Sequence, residues 1–175
     1  GAVDERRLYL GLTDNTLVAI DRETGAVVWS WTAPVPLGAA PTLAGDRVYQ
    51  PLRNGHLVAL EAASGRVLWE RASGDGLLVF TPVAILDGTV FVHATNGLVA
   101  FDAETGDRLW RSATTSPWAL VPPVVDARFV VLAGHDTIEV YSRANGERTY
   151  TYPHGAVAGI AFDGDRAYAA SPNFA

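Results

Sequence analysis

Histidine, cysteine and acidic residues are the side chains most able to do chemistry, and their spacing here indicates no reactive site. The four histidines, His56, His93, His135 and His154, lie far apart in the chain, whereas zinc sites usually include closely spaced ligand pairs. The segment Asp-Gly-Asp at 163–165 offers too few ligands for a calcium loop. The sequence has no cysteine, which excludes a thiol nucleophile and a disulfide. We therefore predict no catalytic, cofactor-binding or metal-binding residue and a chain that is not an enzyme.

The composition argues against two kinds of surface. The 175 residues carry a net charge of −6, whereas a nucleic-acid surface needs a basic face that displaces counterions. No apolar run approaches the ~20 residues of a membrane span, and the first residues lack the basic and then apolar layout of a signal peptide. We expect neither a nucleic-acid partner nor a membrane span, and the length is sufficient for a sizeable core.

A phrase of eleven residues recurs along the chain and carries most of the information about its fold. It reads AIDRETGAVVW at 19–29, ALEAASGRVLW at 59–69, AFDAETGDRLW at 100–110 and, loosely, VYSRANGERTY at 140–150. A fixed period near 40 residues is typical of propellers, solenoids and repeat arrays. The recurring positions to which we assign a structural role between neighbouring copies are Ala19, Asp21, Gly25, Trp29, Ala59, Glu61, Gly65, Trp69, Ala100, Asp102, Gly106, Trp110 and Tyr150.

Each copy of the repeat reads as four short strands joined by tight turns. In the second copy the strands are APTLAG (40–45), VYQPL (48–52), HLVALE (56–61) and RVLWER (66–71). Asn, Asp and Gly stand at the turns between β-branched and aromatic runs, and no helical periodicity competes. The copies are predicted at about 1–39, 40–80, 81–121 and 122–158, with a partial copy at 159–175, in one region covering 1–175.

The apolar pattern of the strands favours sheets that are covered on both faces. Runs such as LVAI (17–20) and VFVHA (90–94) are apolar at consecutive positions instead of alternating. Small antiparallel sheets stacked around an axis satisfy this pattern. We predict an all-β chain, a β-propeller of four-stranded antiparallel blades, with about four blades in this sequence.

The recurring phrase has a physical explanation within such a blade. Asp21 can accept backbone N–H groups in the turn that follows it, and Gly25 supplies a positive φ that closes the turn. Trp29 is expected opposite Ala19, whose small side chain leaves room for an indole to lie flat. A tryptophan buries about 150–250 Å², so we expect each indole to hold neighbouring blades together.

On these residues the chain resembles the pyrroloquinoline quinone-like repeat family. Ala-x-Asp-x-x-Thr-Gly-x-x-x-Trp is similar to the tryptophan-docking motif of quinoprotein dehydrogenases and fits 19–29 and 100–110 fully. Similar repeats occur in the non-catalytic lipoprotein of the outer-membrane barrel-assembly machinery and in sensor regions of bacterial serine/threonine kinases. The resemblance implies a propeller fold and an extracytoplasmic location, in the periplasm or at the cell surface. It does not imply a particular cofactor.

Relatives in this family usually close eight blades, which is about twice the number counted here. The sequence lacks an initiating methionine, which suggests processing or a longer parent chain. We expect a portion of a larger propeller; a half-ring that pairs with a second copy and a closed four-bladed ring are the alternatives.

Quinoprotein chemistry, as the resemblance implies it, needs a carboxylate base, a calcium site and long loops around the quinone. The acidic residues here mostly stand in tight turns, the loops are short, and the adjacent cysteines of several members are absent. We therefore predict no cofactor and a non-catalytic interaction or scaffold module. The alternatives are a portion of a quinoprotein dehydrogenase and the ligand-sensing domain of a kinase or surface receptor.

A protein or peptide partner is expected at the loops on one face of the blades. Exposed aromatic residues with a polar rim are typical of such surfaces. The residues that we predict on this partner-binding face are Arg53, His56, Phe80, Trp118, His135, Tyr152 and His154.

Overall fold

The computed structural model describes residues 1–74, 81–115, 121–134, 136–153, 159–163 and 166–170. All regular elements in these ranges are β-strands. The chain comprises two compact units, Gly1–Val83 and Ala84–Ala175, which are described separately below. In the described ranges no helix is long and apolar enough to cross a membrane.

The first unit contains two four-stranded antiparallel sheets, each with its strands in chain order. The strands of the first sheet are β1 (Ala2–Val3), β2 (Arg7–Gly11), β3 (Thr16–Asp21) and β4 (Val27–Thr32). Those of the second sheet are β5 (Thr42–Ala44), β6 (Arg47–Pro51), β7 (His56–Glu61) and β8 (Val67–Ala72).

The second unit repeats this arrangement and adds a pair of strands. The strands of the third sheet are β9 (Ala84–Leu86), β10 (Thr89–Ala94), β11 (Gly97–Asp102) and β12 (Arg108–Ala113). Those of the fourth sheet are β13 (Val124–Val125), β14 (Phe129–Ala133), β15 (Thr137–Ser142) and β16 (Arg148–Pro153), followed by the antiparallel pair β17 (Gly159–Asp163) and β18 (Arg166–Ala170). The prediction of an all-β chain built from four-stranded antiparallel sheets is confirmed.

The register of the last two strands is the same in each of the four-stranded sheets. Ala19 pairs with Trp29, and a bulge follows between Ala19 and Ile20. Ala59 pairs with Trp69 and Ala100 with Trp110, again with a bulge after the alanine. A bulge re-aims the side chains next to it, so the spacing within the repeated phrase fixes where each indole lies.

The core of each unit lies between successive sheets. In the first unit Tyr9, Leu17 and Trp29 pack with Val58 and Leu60 from the second sheet. In the second unit Phe91, Leu98 and Ala100 pack with residues of the fourth sheet. Both faces of the inner strands are buried, as in β7, where the four residues from Leu57 to Leu60 are all buried. This explains the consecutive apolar positions in the sequence.

Candidate functional site

The indole of Trp29 joins the two sheets of the first unit. Trp29 lies on β4, is 9% exposed, and donates from Nε1 to the carbonyl oxygen of Ala62 at 2.9 Å. Its ring centroid lies 5.9 Å from that of Tyr9. Ala62 follows β7, so this hydrogen bond ties the edge strand of the first sheet to the second sheet. The indole is therefore buried and also has its one donor satisfied.

The turn glycine of the second sheet lies directly against this indole. A Cβ added to Gly65 would lie 2.6 Å from atoms Cδ2 and Cε3 of Trp29. No side chain fits there, because real Cβ atoms do not approach carbon so closely. The glycine thus closes its own turn and also provides the flat surface on which the tryptophan of the preceding sheet rests.

Trp110 makes the equivalent junction in the second unit. Its Nε1 donates to the carbonyl oxygen of Arg143 at 3.0 Å, and its ring centroid lies 5.9 Å from that of Phe91. The ring covers Gly146, which would clash with it if it carried a Cβ. The hydroxyl of Ser112 adds a hydrogen bond to the carbonyl oxygen of Gly146. The same device thus operates in both units.

Trp69 and Tyr150 occupy the same repeat position with different surroundings. Trp69 is 6% exposed and its ring centroid lies 5.9 Å from that of Tyr49. Tyr150 is 58% exposed and stacks on Tyr152 with centroids 6.1 Å apart. The structural role between neighbouring copies that we predict for Tyr150 stays a prediction. In the part of the chain that the structure describes, the element after the fourth sheet is the strand pair β17–β18.

The acidic residues of the motif are engaged in their own turns. The Asp21 carboxylate accepts the backbone N–H of Thr24 at 2.8 Å and that of Glu23 at 3.1 Å. Asp102 accepts the corresponding two bonds in its turn at 2.8 and 2.9 Å. The hydrogen bonds from Thr24 hold the pKa of Asp21 below its ordinary value. Gly25 and Gly106 close these turns with φ of 71° and 74°.

Glu61 replaces aspartate in the second copy and binds different groups. It accepts the hydroxyl of Ser64 and, at 3.2 Å, a guanidinium N–H of Arg66. These two hydrogen bonds lower its pKa. Glu61 is thus an ionised turn residue, and its lowered pKa makes it a weak base.

The turn between β6 and β7, at one end of the second sheet, is held in place by backbone hydrogen bonds to the connection that precedes the sheet. The backbone N–H of the exposed residue Arg53 donates to the carbonyl oxygen of Pro36 at 2.9 Å, and Leu37 forms a β-bridge with Leu52. The connection between the first and second sheets is therefore fixed against this turn. His56 is part of the same end, and its Nδ1 lies 2.5 Å from Oε1 of Glu70.

The remaining residues predicted on the partner-binding face are placed only in part. Tyr152 lies on β16 and is 53% exposed. Phe80, Trp118, His135 and His154 lie outside the described residues. In the first unit, the structure therefore describes two residues of the predicted face, Arg53 and His56.

Glu139 is the buried charged residue that the sequence reasoning missed. It lies on β15 with 0% exposure, and Arg148 donates to its Oε1 at 2.7 Å. The one signal in the sequence is that glutamate stands where the other copies have Val18, Val58 and Val99.

The described residues contain no cluster of side chains suited to a metal ion. No three acidic or histidine side chains among them come together as metal ligands. A surface cleft of about 520 Å³ beside Trp110 is lined by apolar side chains, Thr89 and the two arginines Arg128 and Arg143. Arg143 is paired with Asp87 at 2.9 Å.

Comparison with known proteins places the chain among the repeats that its motif resembles. Residues 1–86 and 53–173 match the family described as "Outer membrane protein assembly factor BamB". The chain belongs to this family. The BamB of Bordetella pertussis is 34% identical over 128 residues, which are 70% of this chain and 32% of that protein. The chain therefore spans about a third of the length of this BamB relative.

Solved structures confirm the predicted propeller fold of this BamB family member. The crystal structure of BamB from Moraxella catarrhalis superposes with a TM-score of 0.79 at 20% identity, covering 97% of this chain and 53% of that one. A more distant likeness extends to enzymes: the 1-butanol dehydrogenase (quinone) of Thauera butanivorans is 27% identical over 59% of this chain and 20% of its own length. The family resemblance inferred from the tryptophan-docking motif is confirmed.

Proposed function

We propose that this chain is a non-catalytic interaction module, a propeller region of the BamB family whose loops bind a protein or peptide partner. The observation that carries the proposal is that side chains of the repeated phrase make hydrogen bonds that hold the fold together. Trp29 and Trp110 bind carbonyl groups of the next sheet, and Asp21 and Asp102 accept backbone N–H groups of their own turns. These residues are thereby committed to holding the sheets together.

The end of the second sheet that carries Arg53 and His56 supports this proposal. Its turn is fixed by the hydrogen bond to Pro36, and Arg53 is exposed. A charged side chain on a firmly held turn is well suited to recognition, because little further ordering is needed when a partner binds. We assign this end of the sheet to partner contact.

The names of the relatives support the same function and suggest its location. Several are outer membrane protein assembly factors, a role that consists of working with other proteins. By this likeness we propose an extracytoplasmic location, a protein partner in outer-membrane assembly, and no catalytic activity of the chain itself.

Site-specific photocrosslinking tests the proposed surface. A photoreactive amino acid is placed at Arg53 or His56, and a matched control carries it at Ala63, which is exposed in the turn at the opposite end of the same sheet. We expect an adduct with a component of the outer-membrane assembly machinery from positions 53 and 56, identified by mass spectrometry, and none from position 63. Equal adducts from all three positions, or none, would contradict the assignment.

The likeness to quinone-dependent dehydrogenases gives a second candidate function. Pyrroloquinoline quinone with calcium needs acidic ligands and a base, and the described residues do not fit, because Asp21, Glu61 and Asp102 are all held in turns. Incubation with the quinone and calcium, followed by desalting and absorption spectroscopy, separates the two functions. We expect no retained quinone; retention at one equivalent would favour the dehydrogenase.

A further inference from the structure

The position of Glu139 in the repeat is apolar in every other copy. Val18, Val58 and Val99 stand at the same distance before the motif aromatic, and each is 7% exposed or less. Glu139 is fully buried in that place. A buried carboxylate is costly unless several donors surround it, so its surroundings indicate what it does.

Five hydrogen bonds converge on the Glu139 carboxylate. Its Oε1 accepts the backbone N–H and the hydroxyl of Thr115, at 3.1 and 2.7 Å, and a guanidinium N–H of Arg148 at 2.7 Å. Its Oε2 accepts the hydroxyls of Thr114 and, at 3.0 Å, of Tyr141. Every donor is arranged for an ionised acceptor with free lone pairs on both oxygens.

Three of these five hydrogen bonds, those from Thr114 and Thr115, cross from one sheet to the next within the second unit. Thr114 and Thr115 follow β12 of the third sheet, whereas Glu139 lies on β15 of the fourth. The equivalent place in the first unit, between the first and second sheets, is filled by Ala33 and Val58, both buried in one apolar cluster. The contact between the first and second sheets and the contact between the third and fourth sheets therefore use equivalent repeat positions. The first contact, which we call the apolar seam, is made by Ala33 and Val58, whereas the second depends on the charge of Glu139.

We propose that Glu139 is an acid-releasable latch, whose carboxylate holds the start of the connection after β12 to the fourth sheet and lets it go when protonated. A proton on the carboxyl turns one acceptor oxygen into a donor and removes the charge that strengthens the hydrogen bonds from Thr114, Thr115 and Arg148. It also leaves the Arg148 cation without its counter-charge. The apolar seam at Ala33 and Val58 contains no group that responds to pH in this way.

The direction of the pH response follows from the surroundings of the carboxyl. Burial alone would raise the pKa of Glu139, but the hydrogen bonds from Thr114, Thr115 and Arg148 outweigh burial and bring it below the ordinary 4.5. Among the described residues, the groups that face this carboxyl and carry charge or titrate are Arg148 and Tyr141, and both keep their protons in this range. The stabilisation is thus complete above pH 4.5 and is lost as the pH falls through the lowered pKa.

Hydrogen exchange followed by mass spectrometry tests the latch. The wild-type chain is followed from pH 7 down to about pH 2.5 in small steps, with correction for the intrinsic exchange rate, so that the lowered pKa is crossed wherever it lies. The peptides compared cover 108–115 and 137–142, with 27–34 and 56–61 as the matching pair. We expect exchange of the first pair to accelerate about tenfold more than exchange of the second pair. Equal acceleration in both pairs would overturn the proposal.

Substitution of Glu139 distinguishes release of this contact from a general loss of stability in acid. Glu139→Gln, which removes the charge at nearly constant shape, is expected to show at pH 7 the fast exchange that wild type shows in acid, with little further pH response. Glu61→Gln is the control, since Glu61 is also an ionised carboxylate with lowered pKa but lies in an exposed turn. If Glu139→Gln fails to fold, Thr114→Val with Thr115→Val tests the same bonds from the other side. A variant that keeps the wild-type pH response of 108–115 would overturn the proposal.

Discussion

Gly25 and Gly65 hold the same place in two equivalent turns, with φ of 71° and 73°, but only Gly65 is covered by an indole. A Cβ on Gly25 would meet no atom within 4 Å, whereas one on Gly65 would overlap the ring of Trp29. The motif therefore has two separate reasons for glycine. Both positions need it for their backbone conformation, and Gly65 needs it also because an aromatic ring approaches closely.

Alanine substitution at the two glycines is expected to have unequal effects. Gly25→Ala should lower the free energy of unfolding by about 1 kcal/mol, the cost of a left-handed residue with a side chain. Gly65→Ala should cost about 3 kcal/mol, because the overlap with Trp29 adds an overpacking term. Urea denaturation of both variants measures the difference. In a Trp29→Ala background the cost of Gly65→Ala should fall to that of Gly25→Ala, and equal costs in both backgrounds would show that the ring is not responsible.

Truncation of the motif aromatic should matter only where the ring is buried. Trp29→Ala removes a buried indole and its bond to Ala62, and we expect a loss of about 3 to 5 kcal/mol in the free energy of unfolding. Tyr150→Ala removes a ring that is 58% exposed and should change stability by about 0.5 kcal/mol or less. Thermal denaturation of the two variants compares them, and a large loss for Tyr150→Ala would mean that a further element covers its ring.

The spacing of the repeated phrase was sufficient to predict the strand order, the facing of Ala19 and Trp29, and the turn that Asp21 organises. These features are local, because a hairpin with a fixed turn length sets its own register. Tyr150 stands at the same repeat position but is 58% exposed, whereas Trp29 and Trp69 are 9% and 6% exposed. A position within a repeat predicts the conformation of the chain but not whether a neighbour covers it.

Glu139 was not predicted because the donors that make its burial possible lie elsewhere in the sequence. Thr114 and Thr115 precede it by 25 and 24 residues, and nothing in the intervening sequence marks their proximity. Comparison of aligned copies does mark the position itself, since one glutamate stands among three valines. A charged residue at a repeat position that is otherwise apolar is therefore a useful signal.

The phenol of Tyr141 is expected to lose its proton at a higher pH than an ordinary tyrosine. Burial raises its pKa to about 12, and its hydroxyl donates to Glu139 at 3.0 Å. Because the folded state holds this proton more tightly than the unfolded chain, stability should decline as the pH rises from about 10 towards 12. Absorbance at alkaline pH should show one late ionisation that is absent in Tyr141→Phe; an unchanged titration curve in that variant would contradict the assignment.

Two serines, Ser73 and Ser112, should respond in opposite ways to loss of the hydroxyl. Ser73 is fully buried, and its Oγ has no hydrogen-bond partner in the part of the chain that the structure describes. Ser112, by contrast, donates to the carbonyl oxygen of Gly146. Ser73→Ala should therefore leave stability unchanged or raise it by up to about 1 kcal/mol, because an unsatisfied hydroxyl is removed from an apolar place. The first copy already has Ala33 at this position, which shows that alanine fits.

Ser112→Ala should lower the free energy of unfolding by about 1 kcal/mol, since it leaves the Gly146 carbonyl without its side-chain donor. The two substitutions remove the same atom, so the difference between their unfolding free energies isolates the hydrogen bond from the loss of volume. Urea denaturation of both variants measures that difference. If Ser73→Ala proved as destabilising as Ser112→Ala, the Ser73 hydroxyl would have to bind a group such as an internal water, and a high-resolution crystal structure would show it.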